Sequence, residues 1–324
     1  MTEPLLGRLQ RRGETLCVAA LPWVAPVYRA MPQVQEVIEL PFAHGGLQWR
    51  ARRQLARQMQ GRFDAAYVLP NSLKSALLPF LAGIPKRIGY LGEARVGLLT
   101  QRLKNPPKAR RPPMVQWYSR LSGESDTADD VPRLHLEARQ VDEVLQELGL
   151  ERGKFVVFAP GAEFGPAKRW PSARFAELAR RMGQTVLLLG SGKEQAICEE
   201  IEGAAGPSCR NLCGKTSLAQ ALALLSAAAA VVSNDSGLMH VAAAFGVRQV
   251  ALFGSSSPLH TPPLNPQAQV VWLKDDPQYQ PPLDCSPCFK RECPLGHTRC
   301  LVDIDAARVL SLLSPRDRGA TASE

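Results

Sequence analysis

Short apolar runs alternate with longer stretches of helical periodicity along this chain, in two successive blocks. In the first block, residues 15–20, 37–40, 65–69 and 87–90 read as strands, with helical patterns over 26–31, 47–60 and 72–82 between them. In the second, residues 155–159, 185–189, 229–232, 249–253 and 270–273 read as strands, with helices over 172–182, 193–203, 217–228 and 237–245 between most of them. Strands alternating with helices predict α/β units with parallel sheets, here two doubly wound domains. The boundaries are set at 1–145 and 146–314, with a disordered tail over 315–324. Residues 104–114, basic and rich in proline, and residues 122–133, polar and acidic, fall outside the regular layers.

Two loops of the second block carry the chemistry. Pro160-Gly161-Ala162-Glu163-Phe164-Gly165-Pro166-Ala167-Lys168-Arg169-Trp170-Pro171 follows one buried strand, and Ser233-Asn234-Asp235-Ser236-Gly237-Leu238-Met239-His240 follows another. Both open at the strand ends of one sheet and face one crevice. A Gly-rich turn with Lys168, opposite a helix beginning Asp235-Ser236-Gly237, offers backbone N–H groups, a cation and a helix N-terminus to an anion such as a diphosphate. Two other motifs fail on spacing. Gly190-Ser191-Gly192 would need a small residue where Gln195 stands, so it reads as an ordinary strand-to-helix turn. Gly214-Lys215-Thr216 would need a leading glycine where Cys209 stands, which argues against a nucleotide hydrolase.

Composition narrows the class. With 324 residues and 45% hydrophobic content the chain can bury two cores. No apolar stretch approaches the roughly 20 residues of a membrane span. Residues 1–12 are too polar for a signal peptide, so the expectation is a cytoplasmic protein with reduced cysteines. Cys17, Cys198, Cys209 and Cys213 read as small core fillers. The charge is uneven: residues 1–120 carry 19 Lys and Arg against 6 Asp and Glu, whereas residues 121–324 carry 20 against 24. A basic first half suits nucleic acid, anionic lipid or a phosphorylated substrate. Arg50, Arg52, Arg53, Arg57 and Arg62 lack the aromatic interleaving of a single-strand binder, which disfavours nucleic acid, and a solvated helix face explains any one of them equally well.

Together with Gly254-Ser255-Ser256-Ser257-Pro258 and Leu69-Pro70-Asn71-Ser72-Leu73-Lys74-Ser75-Ala76, the two loops resemble the lipopolysaccharide heptosyltransferases of glycosyltransferase family 9 over nearly the whole chain. The likeness is strongest to the branch that adds the second inner-core heptose. It implies a GT-B architecture, two Rossmann-like domains facing a cleft. It further implies inverting transfer of L-glycero-D-manno-heptose from ADP-heptose, a substrate, to the first heptose of Kdo-lipid A, with no catalytic metal and no cofactor. By the resemblance, Gly161 belongs to the donor site, where Lys168 meets the phosphates, Glu194 the ribose and the segment around Thr216 the adenine, while Asp235, Ser236, Gly237 and His240 meet the diphosphate and heptose. The residue chemistry agrees: Lys168 and the amides of Ser236, Gly237 and Ser255 can stabilise a departing diphosphate without a divalent ion. Outside this motif His240 would read as a buried, hydrogen-bonded histidine and Asp235 as an N-cap, while Trp170 reads as core and Arg169 as solvated. The acceptor falls to the basic first domain, through Arg53, Lys74, Arg87 and Arg95, with peripheral attachment to the anionic cytoplasmic face of the inner membrane.

Relatives in the resembling family open with a strand and a Trp-x-Gly-Asp turn whose Asp is the proposed general base, followed by a helix like residues 1–10 here. The expectation is therefore that Met1 is an internal methionine, that the first domain lacks its first strand, and that the chain as written lacks its base and is inactive or poorly folded. Two alternatives remain: another GT-B sugar-nucleotide transferase or epimerase, and a non-catalytic sugar-nucleotide-binding protein. Cys285, Cys288, Cys293 and Cys300, with His297, form C-x2-C-x4-C-x6-C in a Pro-rich loop, readable as a structural zinc site or as reduced, partly buried thiols.

Overall fold

In a computed structural model, the described residues are 1–42, 46–107, 112–124 and 130–313. The chain divides into two compact units, Met1–Pro132 and Arg133–Glu324.

In the first unit the order is α1 (Glu3–Arg11), β1 (Leu16–Ala20), α2 (Ala25–Arg29), β2 (Val34–Glu39), α3 (Trp49–Met59), β3 (Ala65–Val68), α4 (Leu73–Leu81), β4 (Lys86–Tyr90), β5 (Gln101–Leu103) and α5 (Met114–Ser119). All strand pairs are parallel, and they fall into two groups among the described residues, β1-β2 and β3-β4-β5. Leu55 and Met59, four residues apart on α3, share a core with Leu78 and Ala82 of α4 and with Phe42 and Ile84. Ser72 starts α4 by accepting the Ser75 N–H on its hydroxyl at 3.3 Å. The sequence pattern located every strand here except β5, whose three residues are too few and too polar to show a period. It also passed over α5, which begins at the last residue of the Pro-rich stretch.

The second unit contains α6 (Ala138–Leu148), β6 (Phe155–Ala159), α7 (Ser172–Arg181), β7 (Thr185–Leu188), α8 (Gln195–Ala205), β8 (Cys209–Asn211), α9 (Leu218–Ala227), β9 (Ala230–Asn234), α10 (Gly237–Ala244), β10 (Gln249–Phe253), β11 (Ala268–Trp272), α11 (Arg299–Val302) and α12 (Ala306–Leu313). Its six strands form one parallel sheet in the order β11-β10-β9-β6-β7-β8. Strands β6, β9 and β10 are buried at every position, as sheets covered on both faces require. The chain runs outward from β6 through β7 to β8 on one side and from β9 through β10 to β11 on the other. The loops after β6 and β9 therefore diverge at the topological switch point, where a doubly wound sheet opens a crevice at its carboxyl ends.

Two expectations change. The boundary falls after Pro132 rather than after residue 145, because α6 buries Val141 and Leu145 and packs on α9 of the second unit. Cys198 and Cys213, expected as reduced core fillers, are joined by a disulfide. Helix α8 and the turn after β8 bring their Cα atoms to 6.7 Å, within reach of a bridge. The expected tail over 315–324 lies outside the described residues.

Candidate diphosphate and nucleoside site

The loop after β6 is pinned at both ends by one buried amide. Asn234, the last residue of β9, donates from Nδ2 to the Pro160 carbonyl at 2.7 Å and accepts the Trp170 N–H on Oδ1 at 3.0 Å. Trp170 is fully buried, packs edge-on to Phe175 at 4.8 Å and donates its indole N–H to the Ile304 carbonyl at 3.0 Å. It is core, as expected, and it fixes where Lys168 emerges. Arg169 is less solvated than expected: it is half-buried, and its guanidinium reaches the Ala162 carbonyl at 3.4 Å. Asn234 entered the sequence reading only as a letter of the motif, since its anchoring role depends on β6 and β9 being neighbours.

Lys168 Nζ lies 2.5 Å from Asp235 Oδ2, with side-chain exposures of 18% and 6%. Thr261 donates its hydroxyl to the other carboxylate oxygen at 3.3 Å. Asp235 is not the N-cap of α10: Ser236 holds that place in extended backbone, and its side chain caps nothing. The hydroxyls of Ser236, Ser255 and Ser256 are all buried without a partner at the carboxyl ends of the neighbouring strands β9 and β10. Buried hydroxyls are normally satisfied, so three orphans beside a cation and a helix N-terminus make this the candidate anion site. Gly237 opens α10 with free space around it, so no crowding demands a glycine there. His240 sits one turn into α10, half-buried, and burial lowers its pKa from the ordinary histidine range.

The other half of the crevice is built over β6, β7 and β8. Glu194 accepts the N–H and hydroxyl of Ser191 at 2.8 and 2.5 Å, closing a capping box. The Gly190-Ser191-Gly192 turn is thus a capped entry to α8. A Cβ on Gly161 would come 2.5 Å from Glu194 Cγ, so the glycine makes room for the carboxylate. Gly214, at φ 70°, lies against Gly192 and places the half-buried Thr216 just before the capping box of Ser217 and Gln220. Gly161, Glu194 and Thr216 therefore follow the carboxyl ends of β6, β7 and β8, and Asp235, Ser236 and Ser255 those of β9 and β10, with Lys168 between them on the loop after β6.

The candidate acceptor residues of the first unit separate by role. Arg53 is exposed on α3 with Arg50 and Arg57 on the same face. Its neighbour Arg52 is buried, donates to the Leu47 and Lys74 carbonyls at 2.7 and 2.9 Å, and lies 4.2 Å over the Phe42 ring. Lys74 is half-buried in the first turn of α4. Arg87 donates to the Leu98 carbonyl at 2.6 Å and to that of Ile84, and Arg95 is fully buried with donors on the Pro70 and Tyr90 carbonyls and Asn71. Arg87 and Arg95 are held by their own unit, because the turns after β3 and β4 present carbonyls that need donors. They tie the fold rather than present free cations.

Residues 285–300 lean on the loops after β6 and β10. Arg291 donates from Nε to the Phe164 carbonyl at 2.7 Å and accepts the Ala167 N–H at 3.0 Å. Lys168 and Arg291 lie 5.3 and 5.8 Å from the centre of the Phe164 ring. At Gly165, φ 150°, a Cβ would strike the Arg291 carbonyl.

The model of glycosyltransferase family 9 (heptosyltransferase) matches residues 52–299. Lipopolysaccharide heptosyltransferase 2 of Escherichia coli K12 is 40% identical, covering 97% of this chain and 93% of the relative. Lipooligosaccharide heptosyltransferase 2 of Haemophilus influenzae is 42% identical over 79% of each chain. The solved structure of E. coli ADP-heptose lps heptosyltransferase II superposes with a TM-score of 0.80 at 39% identity, covering 96% of this chain and 92% of that one. An E. coli heptosyltransferase with ADP, at 18% identity and a TM-score of 0.63, shares the fold. On sequence and on fold alike, the chain belongs to glycosyltransferase family 9, the heptosyltransferases.

Proposed function

We propose that this protein transfers L-glycero-D-manno-heptose from ADP-heptose, with inversion, to the first heptose of Kdo-lipid A in lipopolysaccharide core synthesis. The observation that carries the reading is the Lys168–Asp235 pair beside three unpartnered serine hydroxyls at the switch point of the second sheet. As the acceptor oxygen attacks the anomeric carbon, negative charge develops on the departing diphosphate oxygen. Lys168, the N–H groups opening α10, and the Ser236, Ser255 and Ser256 hydroxyls are preorganised to receive it, so the donor set itself supplies what a divalent cation otherwise would. Asp235 holds the ammonium in place before the donor arrives, and Thr261 holds Asp235. Glu194 and Thr216 receive the nucleoside, and His240 lies toward the sugar.

The acceptor and its membrane fall to the first unit, where residues 1–120 hold 19 of the 39 Lys and Arg. On α3, Arg50, Arg53 and Arg57 are exposed beside half-exposed Leu47 and Trp49, a mix of charge and amphipathic ring suited to an anionic lipid surface. No helix among the described residues is long and apolar enough to cross a membrane, in keeping with attachment to the cytoplasmic face of the inner membrane from outside the bilayer. Incubation with ADP-heptose and heptosyl-Kdo-lipid A, followed by mass spectrometry, tests the assignment. One added heptose, in the presence of a chelator, is expected. Release of free heptose or an epimer would overturn it, as would ADP-heptose binding with no product once the family's Gly-Asp turn stands before residue 1.

A further inference from the structure

The 285–300 segment has no helix or strand until Arg299, and it exposes two of its large apolar side chains, Phe289 at 52% and Leu295 at 61%. Apolar burial is therefore not what holds it. Yet it fixes the ends of the strands that carry the diphosphate site: the Phe289 N–H reaches the Ser255 carbonyl at 2.7 Å and the Ser286 hydroxyl the Gly254 carbonyl at 2.8 Å. Inside the segment, Cys285, Cys288, Cys293 and Cys300 are all free thiols and line one small cavity against Gly254 and Ala167. Its volume is about 20 Å³, room for one water-sized occupant. The Gly296 N–H closes the turn after Cys293 on the Cys293 carbonyl at 3.1 Å, in a turn wrapped tightly enough to put Gly296 and Thr298 at φ 71° and 43°. The fifth candidate ligand, His297, already accepts the Arg299 N–H on Nδ1 at 3.1 Å, which favours sulfur alone.

We propose that Cys285, Cys288, Cys293 and Cys300 bind one zinc ion as a tetrathiolate that clasps this segment onto the loops after β6 and β10. Four sulfurs are the donor set of a closed structural site, and C-x2-C supplies the chelating pair that begins it. Among the described residues no three His, Cys, Asp or Glu side chains are already gathered at ligand geometry, so the thiols rotate inward onto the ion. Zinc enters as the dication and the four thiol protons leave to solvent, with no change of oxidation state. The ion is distant in role from the sugar chemistry; it sets the position of Gly254, Ser255 and Ala167.

The test is metal analysis of the full-length protein purified anaerobically without added metal. One zinc per chain is expected, retained in Cys198→Ser and lost in Cys288→Ser and Cys293→Ser. Cobalt exchanged into the wild-type protein should give intense thiolate-to-metal absorption, which needs neither donor nor acceptor and so is independent of the transferase reading. Less than about a tenth of an equivalent of metal in the wild type, with all four thiols open to a thiol reagent in the folded protein, would overturn the proposal. So would stoichiometric iron in place of zinc, or zinc that persists in the Cys293→Ser variant.

Discussion

Replacing Lys168 with Met keeps the length of the side chain and removes the charge, and two separate losses follow. The first is structural. Asp235 keeps only the Thr261 hydroxyl and is 6% exposed along its side chain, so the variant leaves a carboxylate buried without its cation. Breaking a buried pair costs about 3 to 5 kcal/mol; because the lysine is 18% exposed, we expect the low end, about 3 kcal/mol, in urea unfolding. The second is catalytic. A unit charge about 4 Å from another is worth about 4 kcal/mol at an effective dielectric near 20. Removing one preorganised donor from a developing oxyanion costs about 2.7 to 4 kcal/mol, so kcat should fall by about a hundredfold to a thousandfold. The assay is initial-rate transfer at saturating acceptor, resolving kcat from the donor KM, with unfolding followed in parallel. Asp235→Asn is the control, since it leaves a partly exposed ammonium over the Phe164 ring and should lose less stability and retain ADP affinity. A folded Lys168→Met protein with kcat and KM within about threefold of wild type would refute the reasoning. A raised KM at unchanged kcat would confine Lys168 to ground-state binding.

Four further outcomes follow from the same geometry. Gly161→Ala places a Cβ 2.5 Å from Glu194 Cγ and should break the capping box at α8, lowering stability by about 1 to 2 kcal/mol and weakening ADP binding by calorimetry. Arg95→Ala strips donors from the Pro70 and Tyr90 carbonyls inside the first unit and should cost about 2 to 4 kcal/mol in urea unfolding. Arg53→Ala, on the exposed face of α3, should stay within about 0.5 kcal/mol of wild type while reducing sedimentation with anionic vesicles. Tyr67 donates to Glu14 at 3.1 Å, and burial together with the Glu14 charge pushes the phenol up from 10.0 to about 12. A raised folded-state pKa means a stabilising contribution complete below pH 10 and lost as pH rises toward 12. Tyr67→Phe should lack that component, read as the difference from wild type between pH 9.5 and 12.

The strands over 155–159 and 249–253 were legible because uniform apolar runs of five residues have few other homes, and their ends fell where expected. That Lys168, Ser236 and Ser255 stand at neighbouring strand ends was legible for a related reason: a glycine-rich turn or a helix start after a buried strand marks where a parallel sheet opens. The strands β5 and β8, three residues each, carry no period of their own and exist because a neighbour supplies a ladder. Helix α6 was visible to neither domain by pattern; its attachment to the second unit depends on α9 being there to meet Val141 and Leu145. Charge alone marked Arg53, Arg87 and Arg95 as equals, whereas the turns after β3 and β4 consumed two of them as donors for their own carbonyls. The pairing of Lys168 with Asp235, the anchoring by Asn234, the Cys198–Cys213 bridge and the convergence of four cysteines on one cavity are all contacts between distant parts of the chain. Local periodicity and turn chemistry determine which element a segment forms; which partners its polar groups meet is decided only when the sheet order brings those elements side by side.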